Sequence, residues 1–133
     1  MIVLDTHVLL WMDRDDKALG RSSRRLIEQE WRTGSIMVSA ISFWESAMLE
    51  GYGRIQLPVT AEIWRSELLH AGIQEAPVDG RIALIAVRLA GFHKDPADRF
   101  IVATAIRHDA MLLTADSKIL EWNGGMARHD ARL

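Results

Sequence analysis

Cysteine is absent from this 133-residue chain. Its absence excludes a disulfide framework, a thiol nucleophile and any zinc site with sulfur ligands. The chain also has no run of about 18 apolar residues, so no membrane span is indicated. It begins MIVLDTH, with no basic segment and with an aspartate inside the apolar run, which makes a poor signal peptide. We therefore expect a cytoplasmic protein.

A basic excess is missing as well. The chain has 16 lysines and arginines against 18 acidic residues, which gives a formal net charge of −2. General nucleic-acid binders usually carry a basic patch or stripe that neutralises phosphates. Any binding of nucleic acid by this chain must therefore depend on a local patch or on metal ions.

Short apolar runs alternate with helical segments along the chain. This pattern predicts an α/β fold with a mainly parallel sheet and helices on both faces. The strands are predicted at residues 2–4, 36–38, 73–78 and 111–113, with an edge strand at 126–128. Helix N-caps are predicted at Ser22, Thr60 and Asp79. Hydrophobic residues make up 49% of the chain, and its length is typical of one domain. We expect a single domain over residues 1–133.

Four acids lie near the ends of predicted strands. Asp5 directly follows strand 2–4, and Asp116 lies just beyond strand 111–113. Glu45 and Asp98 fall in the first turns of helices. Ligands of an open parallel sheet bind outside the carboxyl ends of its strands, so we expect all four acids at one rim. Buried like charges need a compensating cation or protons, and hard oxygen ligands suit Mg²⁺ or Mn²⁺.

Structural roles are also open for most of these acids. Asp95 is a good N-cap, and Asp98 follows at the spacing of a capping box. Ser42 and Glu45 have the same spacing. Asp116 is a possible cap for the next helix. An acid straight after a buried strand has no evident local role, so Asp5 favours function.

Other polar residues near the rim are weaker candidates. Thr6 and Thr114 flank strand ends and could hold a metal-bound water, although a hydroxyl at a strand end more often makes a turn or cap hydrogen bond. Arg99, beside Asp98, could bind a phosphate of the substrate, although an ordinary surface ion pair is the simpler expectation. His93 is expected to be a solvated loop residue.

Four strings, taken together and in order, carry a family resemblance: IVLDTHVLLW, VSAISFWESAML, DPADRFIVATA and LLTAD. They resemble PIN domains of the VapC toxin type over most of the chain. The resemblance implies a three-layer α/β/α fold and a ribonuclease that uses Mg²⁺ or Mn²⁺. It also implies a toxin that a cognate antitoxin holds inactive, commonly with toxin homodimerisation.

The resemblance also implies residue roles. The family's acids fall on Asp5, Glu45, Asp98 and Asp116, which would act as metal ligands and catalytic residues. Thr114 matches the hydroxyl that often accompanies the last acid, and Asp95 matches a frequent extra acid. The implied reaction is hydrolysis of RNA phosphodiester bonds by metal-activated water, which needs no side-chain nucleophile.

Two other function classes stay open. A PIN fold that has lost turnover could serve as an RNA- or protein-binding module, although the complete acid set argues against it. A haloacid-dehalogenase-type phosphatase would need an aspartate two positions after Asp5, where this chain has His7.

Segment 8–12 and the face around Trp31 are apolar and predict an interface. We expect a homodimer, and an antitoxin whose tail lies across the site.

Overall fold

The computed structural model describes residues 1–133 and contains one five-stranded sheet. Its strands are β1 (Ile2–Leu4), β2 (Ile36–Ser39), β3 (Gln74–Ala76), β4 (Met111–Thr114) and β5 (Arg128–Asp130). All neighbouring strands are parallel, in the order β3-β2-β1-β4-β5. The expected α/β fold is therefore confirmed, and the sheet is wholly rather than mainly parallel.

Seven helices connect the strands: α1 (Thr6–Asp13), α2 (Arg21–Arg32), α3 (Ile41–Gly51), α4 (Ala61–His70), α5 (Gly80–Val87), α6 (Pro96–Arg107) and α7 (Ser117–Leu120). The predicted caps Thr60 and Asp79 are present, and each accepts a hydrogen bond from the backbone N–H three residues on. These caps satisfy N–H groups that a helix leaves without a partner in its first turn. None of the helices has the length and apolar character needed to cross a bilayer.

Alternation along the central strand separates two hydrophobic cores. Ile2 and Leu4 pack with α1, α2 and α4 on one face of the sheet. Val3, between them in sequence, packs on the other face with Ile101 and other residues of α6. Successive side chains of a strand point to opposite faces, so one short apolar run serves both cores. This is the three-layer α/β/α arrangement.

Several predicted boundaries shift in the structure. The edge strand lies at Arg128–Asp130 instead of 126–128, because pairing with β4 sets its register, with Arg128 opposite Leu112. Helix α2 begins after Gly20 and not after Ser22. The backbone of Leu133 lies so close to Gly20 that a Cβ atom there would overlap it. Such a contact between distant residues leaves no local sequence signal.

Only part of segment 8–12, which was predicted to form an interface, is accessible to a partner: Trp11 and Met12 are half-buried, and the interface itself stays a prediction. Val8, Leu9 and Leu10 are buried in the core of this chain and offer no surface to a partner. Trp31 is 38% exposed. The apolar character of residues 8–10 of α1 is therefore explained by their packing in the core on one face of the sheet.

Ile101 is a sharp test of the core between α6 and the sheet. It is fully buried, so Ile101→Ala removes apolar contacts and leaves a cavity. We expect a loss of about 2–5 kcal/mol in the free energy of unfolding, measured by urea denaturation. Leu84→Ala, at a residue that is 53% exposed, is the control, with a change of about 0.5 kcal/mol or less. Equal losses would contradict this packing.

Candidate active site

The predicted acids meet in one cavity at the carboxyl edge of the sheet. The cavity has a volume of about 270 Å³. Its lining includes Asp5, Glu45, Asp95, Asp98 and Asp116, together with Thr6 and His7. No lysine or arginine lines it. The sheet and the first turns of the helices thus gather side chains that are up to 111 residues apart in the chain.

Asp5 occupies the centre of this edge. It follows β1, is only 3% exposed, and caps α1. Its Oδ1 accepts a hydrogen bond from the Thr6 N–H at 2.8 Å, and its Oδ2 accepts one from the Thr114 hydroxyl at 2.7 Å. The expectation that Asp5 has no local role is therefore wrong. The carboxylate ties the ends of two neighbouring strands to the start of a helix.

Glu45 enters the cavity from α3. Its Oε1 accepts a hydrogen bond from the Thr6 hydroxyl at 2.5 Å, and that hydroxyl also lies 2.9 Å from the Ser42 hydroxyl. The capping box predicted for Ser42 and Glu45 does not form, because the N-cap of α3 is Ala40 and Ser42 lies inside the helix. Glu45 is thereby directed towards the sheet edge rather than back along its own helix.

Asp95 and Asp98 come from the start of α6. Asp95 caps the helix, with its Oδ1 accepting from the Asp98 N–H at 3.1 Å, as the sequence predicts. Asp98 faces the cavity, and its Oδ2 lies 3.1 Å from Nε2 of His93. The two atoms do not form a hydrogen bond, and Nε2 of His93 has no hydrogen-bond partner in this structure. His93 is 21% exposed, so the expectation of a solvated loop residue is wrong.

Asp116 completes the acid set from the turn between β4 and α7. It caps α7 by accepting a hydrogen bond from the Lys118 N–H at 2.8 Å. Its own N–H donates to the Thr114 hydroxyl at 3.0 Å. Thr114, fully buried, therefore accepts from the backbone of one acid while it donates to the carboxylate of Asp5.

Arg99 lies outside the cavity lining. Its guanidinium donates three hydrogen bonds to backbone carbonyls: those of Ala86, Phe92 and His93, at 2.7 to 2.9 Å. Arg99 forms no ion pair in this structure, so the expectation of a surface ion pair is wrong. These contacts also argue against the phosphate-binding role, because the side chain is committed to holding the loop before α6 against α5.

Burial and mutual repulsion perturb the acids. Burial, followed by the negative charges of Asp5, Asp95, Asp116 and Glu45, raises the pKa of Asp98 to about 8. Burial raises the pKa of Asp5, against the opposing influence of His7 and of the hydrogen bonds from Thr114 and Thr6. Burial likewise raises the pKa of Glu45. Each shift reports a site where negative charge lacks a compensating partner.

The donor set fits a hard divalent cation. Carboxylate oxygens are the ligands that Mg²⁺ and Mn²⁺ prefer, and a cation would relieve the repulsion that raises the pKa of Asp98. In this structure, no group of three or more acidic or histidine side chains already has the spacing of metal ligands. A carboxylate has about four lone-pair sites, however, so the hydrogen bonds to Asp5 and Glu45 leave oxygen lone pairs available.

The sequence alone predicted no role for His7 in this cavity. His7 lines the cavity two positions after Asp5, and its Nδ1 lies 3.7 Å from Oδ2 of that acid. The signal was present in the spacing, because a residue in the first turn of a helix that follows a strand also lies at the carboxyl edge.

The raised pKa of Asp98 predicts how stability depends on pH. Its ordinary value is 3.8 and its folded value about 8, so between pH 4 and 8 the folded state binds more protons than the unfolded state. The free energy of unfolding therefore falls as pH rises through this window. Urea denaturation with EDTA should show a smaller fall for Asp98→Asn than for wild type, whereas the exposed-site control Glu62→Gln should match wild type. Equal slopes for wild type and Asp98→Asn would contradict the shift.

Comparison with known proteins agrees with this geometry. The PIN domain family matches residues 2–123. Ribonuclease VapC22 of Mycobacterium tuberculosis is 34% identical over 119 residues, which cover 89% of this chain and 88% of that protein. A toxin-antitoxin complex from Klebsiella pneumoniae contains a chain with a TM-score of 0.66 and 19% identity, at 98% coverage of both chains. DNA-bound VapBC from Salmonella typhimurium gives 0.70 and 17%, covering 97% of this chain and 96% of that one. The chain belongs to the PIN domain family.

Proposed function

We propose that this protein is a metal-dependent endoribonuclease that acts as the toxin of a toxin–antitoxin pair. The carrying observation is the cavity at the sheet edge, where Asp5, Glu45, Asp98 and Asp116 converge in a PIN domain. The relative named a ribonuclease, 34% identical across most of both chains, supports the activity. The absence of cysteine fits a hydrolysis in which water, and not a side chain, attacks phosphorus.

The electrostatics of the cavity explain why a cation is needed. RNA brings negatively charged phosphates to a site lined by five carboxylates and by no lysine or arginine, so a phosphate would be repelled there. PIN-domain nucleases of the VapC type are generally dependent on divalent metals. Bound Mg²⁺ or Mn²⁺ would supply Lewis-acid stabilisation of the charge that develops on the phosphate and would make the attacking water more acidic.

The residues of the chain have distinct roles in this proposal. Asp5 and Asp98, with Glu45 and Asp116 beside them, would hold the ion. Thr114 orients Asp5 through a 2.7 Å hydrogen bond, and Thr6 orients Glu45 through one of 2.5 Å. Such hydrogen bonds fix the direction of carboxylate oxygens around an ion.

Asp95 contributes less directly. It lies at the exposed start of α6, lines the same cavity and is committed to capping its helix. Its charge raises the pKa values of Asp98 and Glu45, so it increases the attraction of the cavity for a cation. We therefore propose that Asp95 is a supporting residue rather than a metal ligand.

The nuclease proposal is tested by removing one acid at a time. Asp5→Asn and Asp98→Asn should each lower cleavage of a structured RNA mixture, including tRNA, by at least about 100-fold, because several kcal/mol of transition-state stabilisation are lost. Wild type should produce discrete fragments with Mn²⁺ or Mg²⁺ and none with EDTA. Glu62→Gln, which changes an exposed acid outside the cavity, should cleave like wild type.

The same assay separates the proposal from a catalytically silent binding module. Undiminished cleavage by both amide variants would refute the assigned roles of the acids. If folded, metal-loaded wild type cleaves no RNA but still inhibits growth as strongly as Asp98→Asn does, the protein acts by binding.

We also propose that residues 1–133 form a single PIN domain. The family match ends at residue 123, but β5 follows it and completes the same sheet through parallel pairing with β4. A cytoplasmic location follows from the proposed RNA substrate. A cognate antitoxin is the proposed partner, because solved structures with the same fold come from toxin-antitoxin complexes.

A homodimer is the remaining part of the proposal. Large apolar side chains stay exposed outside the core, among them Trp44 at 58%, Tyr52 at 72% and Val87 at 69%. Light scattering at micromolar concentration should give twice the chain mass of 15.0 kDa, because burial of such side chains between two copies removes apolar surface from water. A mass of one chain across that concentration range would contradict the dimer.

A further inference from the structure

His7 makes a contact that the proposed function does not use. The ring lies in the first turn of α1, and its Nε2 accepts a hydrogen bond from the backbone N–H of Ala115 at 2.9 Å. The imidazole also makes an edge contact with Trp11, at 5.1 Å between ring centroids. Ala115 immediately precedes Asp116, so the histidine holds the turn that carries the last acid of the cavity.

The hydrogen bond defines the protonation of the ring. An Nε2 atom that accepts a hydrogen bond carries no proton, so this bond places a ring proton on Nδ1. Nδ1 is 3.7 Å from Oδ2 of Asp5, beyond the length of a hydrogen bond. The ring is thus anchored by its hydrogen bond with Ala115 and not by one with Asp5.

Side chains from three parts of the chain hold the same turn. Besides the His7 bond to the Ala115 N–H, the Ala115 carbonyl accepts a hydrogen bond from the Arg132 guanidinium at 2.8 Å. The Asp116 N–H donates to the Thr114 hydroxyl at 3.0 Å. The peptide group between Ala115 and Asp116 therefore has both its oxygen and its N–H bound by side chains, and the preceding N–H is bound by His7.

We propose that His7 is a positioning residue. Through the hydrogen bond that its Nε2 accepts, it holds the turn at Ala115, so that the carboxylate of Asp116 stays directed into the acid cavity at the sheet edge. The inference rests on the proposed function, which places Asp116 among the residues that hold the ion. A displacement of about 1 Å in a group that holds the ion can lower a rate by about 100-fold. Holding the turn in place would therefore preserve activity.

A pair of amide substitutions separates the two edges of the ring. His7→Gln places an acceptor oxygen at about the reach of Nε2 and can keep the bond to Ala115. His7→Asn places its amide at about the reach of Nδ1 and loses that bond. His70→Ala changes an exposed histidine at the end of α4 and is the control. Equal far-ultraviolet circular dichroism and melting temperatures establish that the variants are folded.

Two readouts do not depend on cleavage. Nitrogen-15 NMR of the wild-type imidazole, without added metal, should show the proton on Nδ1. Hydrogen exchange should show the Ala115 amide protected in wild type, in His7→Gln and in His70→Ala, and exchanging at least tenfold faster in His7→Asn. For RNA cleavage with Mn²⁺, His7→Asn should lower kcat by about 10- to 100-fold with little change in KM, and His7→Gln should stay within a few-fold of wild type.

Clear outcomes would overturn the proposal. An Nε2–H tautomer in wild type would do so without any variant, as would unchanged protection of Ala115 in folded His7→Asn. Full activity of His7→Asn with loss in His7→Gln would assign the role to the edge that faces Asp5. If wild type cleaves no RNA, the proposed nuclease fails, while the tautomer and the Ala115 exchange still decide whether His7 holds the turn.

Discussion

The hydrogen bonds of one buried carboxylate hold the centre of this protein together. Asp5 ends the middle strand, caps the first helix through the Thr6 N–H and accepts from the Thr114 hydroxyl at the end of the neighbouring strand. It is 3% exposed, so an unpaired carboxylate here would be costly. The residue that anchors the sheet edge is therefore also the deepest acid of the cavity, and fold and site share one group.

The carboxylates that line this cavity repel one another. Four other acids line the cavity with Asp5, and no lysine or arginine lines it. Burial, together with the charges of its acidic neighbours, raises the pKa of Asp98 to about 8. Without a cation, protons reduce the charge, and stability is lost as they leave. A divalent ion would compensate the same charge and at the same time attract the phosphate of a substrate. The repulsion that lowers the stability of the fold thus also favours the binding of a metal ion and, through that ion, of RNA.

Strands and helix caps were predictable from the sequence, because they depend on local residues. The apolar runs at β1, β2 and β4 and the caps at Thr60, Asp79 and Asp95 were all found, since strand patterns and caps depend on a few neighbouring residues. The placement of the acids at strand ends predicted that they would meet, because carboxyl ends of parallel strands share one edge. The errors concern long-range contacts: Ser42 is buried beside Thr6 instead of capping α3, and Arg99 binds three carbonyls instead of an acid.

The sequence by itself determined the alternation of strands and helices, the family and the identity of the acids, because each is written in short motifs with defined spacing. Only the tertiary structure decided what those acids touch. It showed that Asp5 is a cap as well as a candidate ligand, that His93 lies against Asp98, and that His7 holds the turn before Asp116. These contacts join residues as much as 108 positions apart, and they exist only once the parallel sheet has brought its strand ends together.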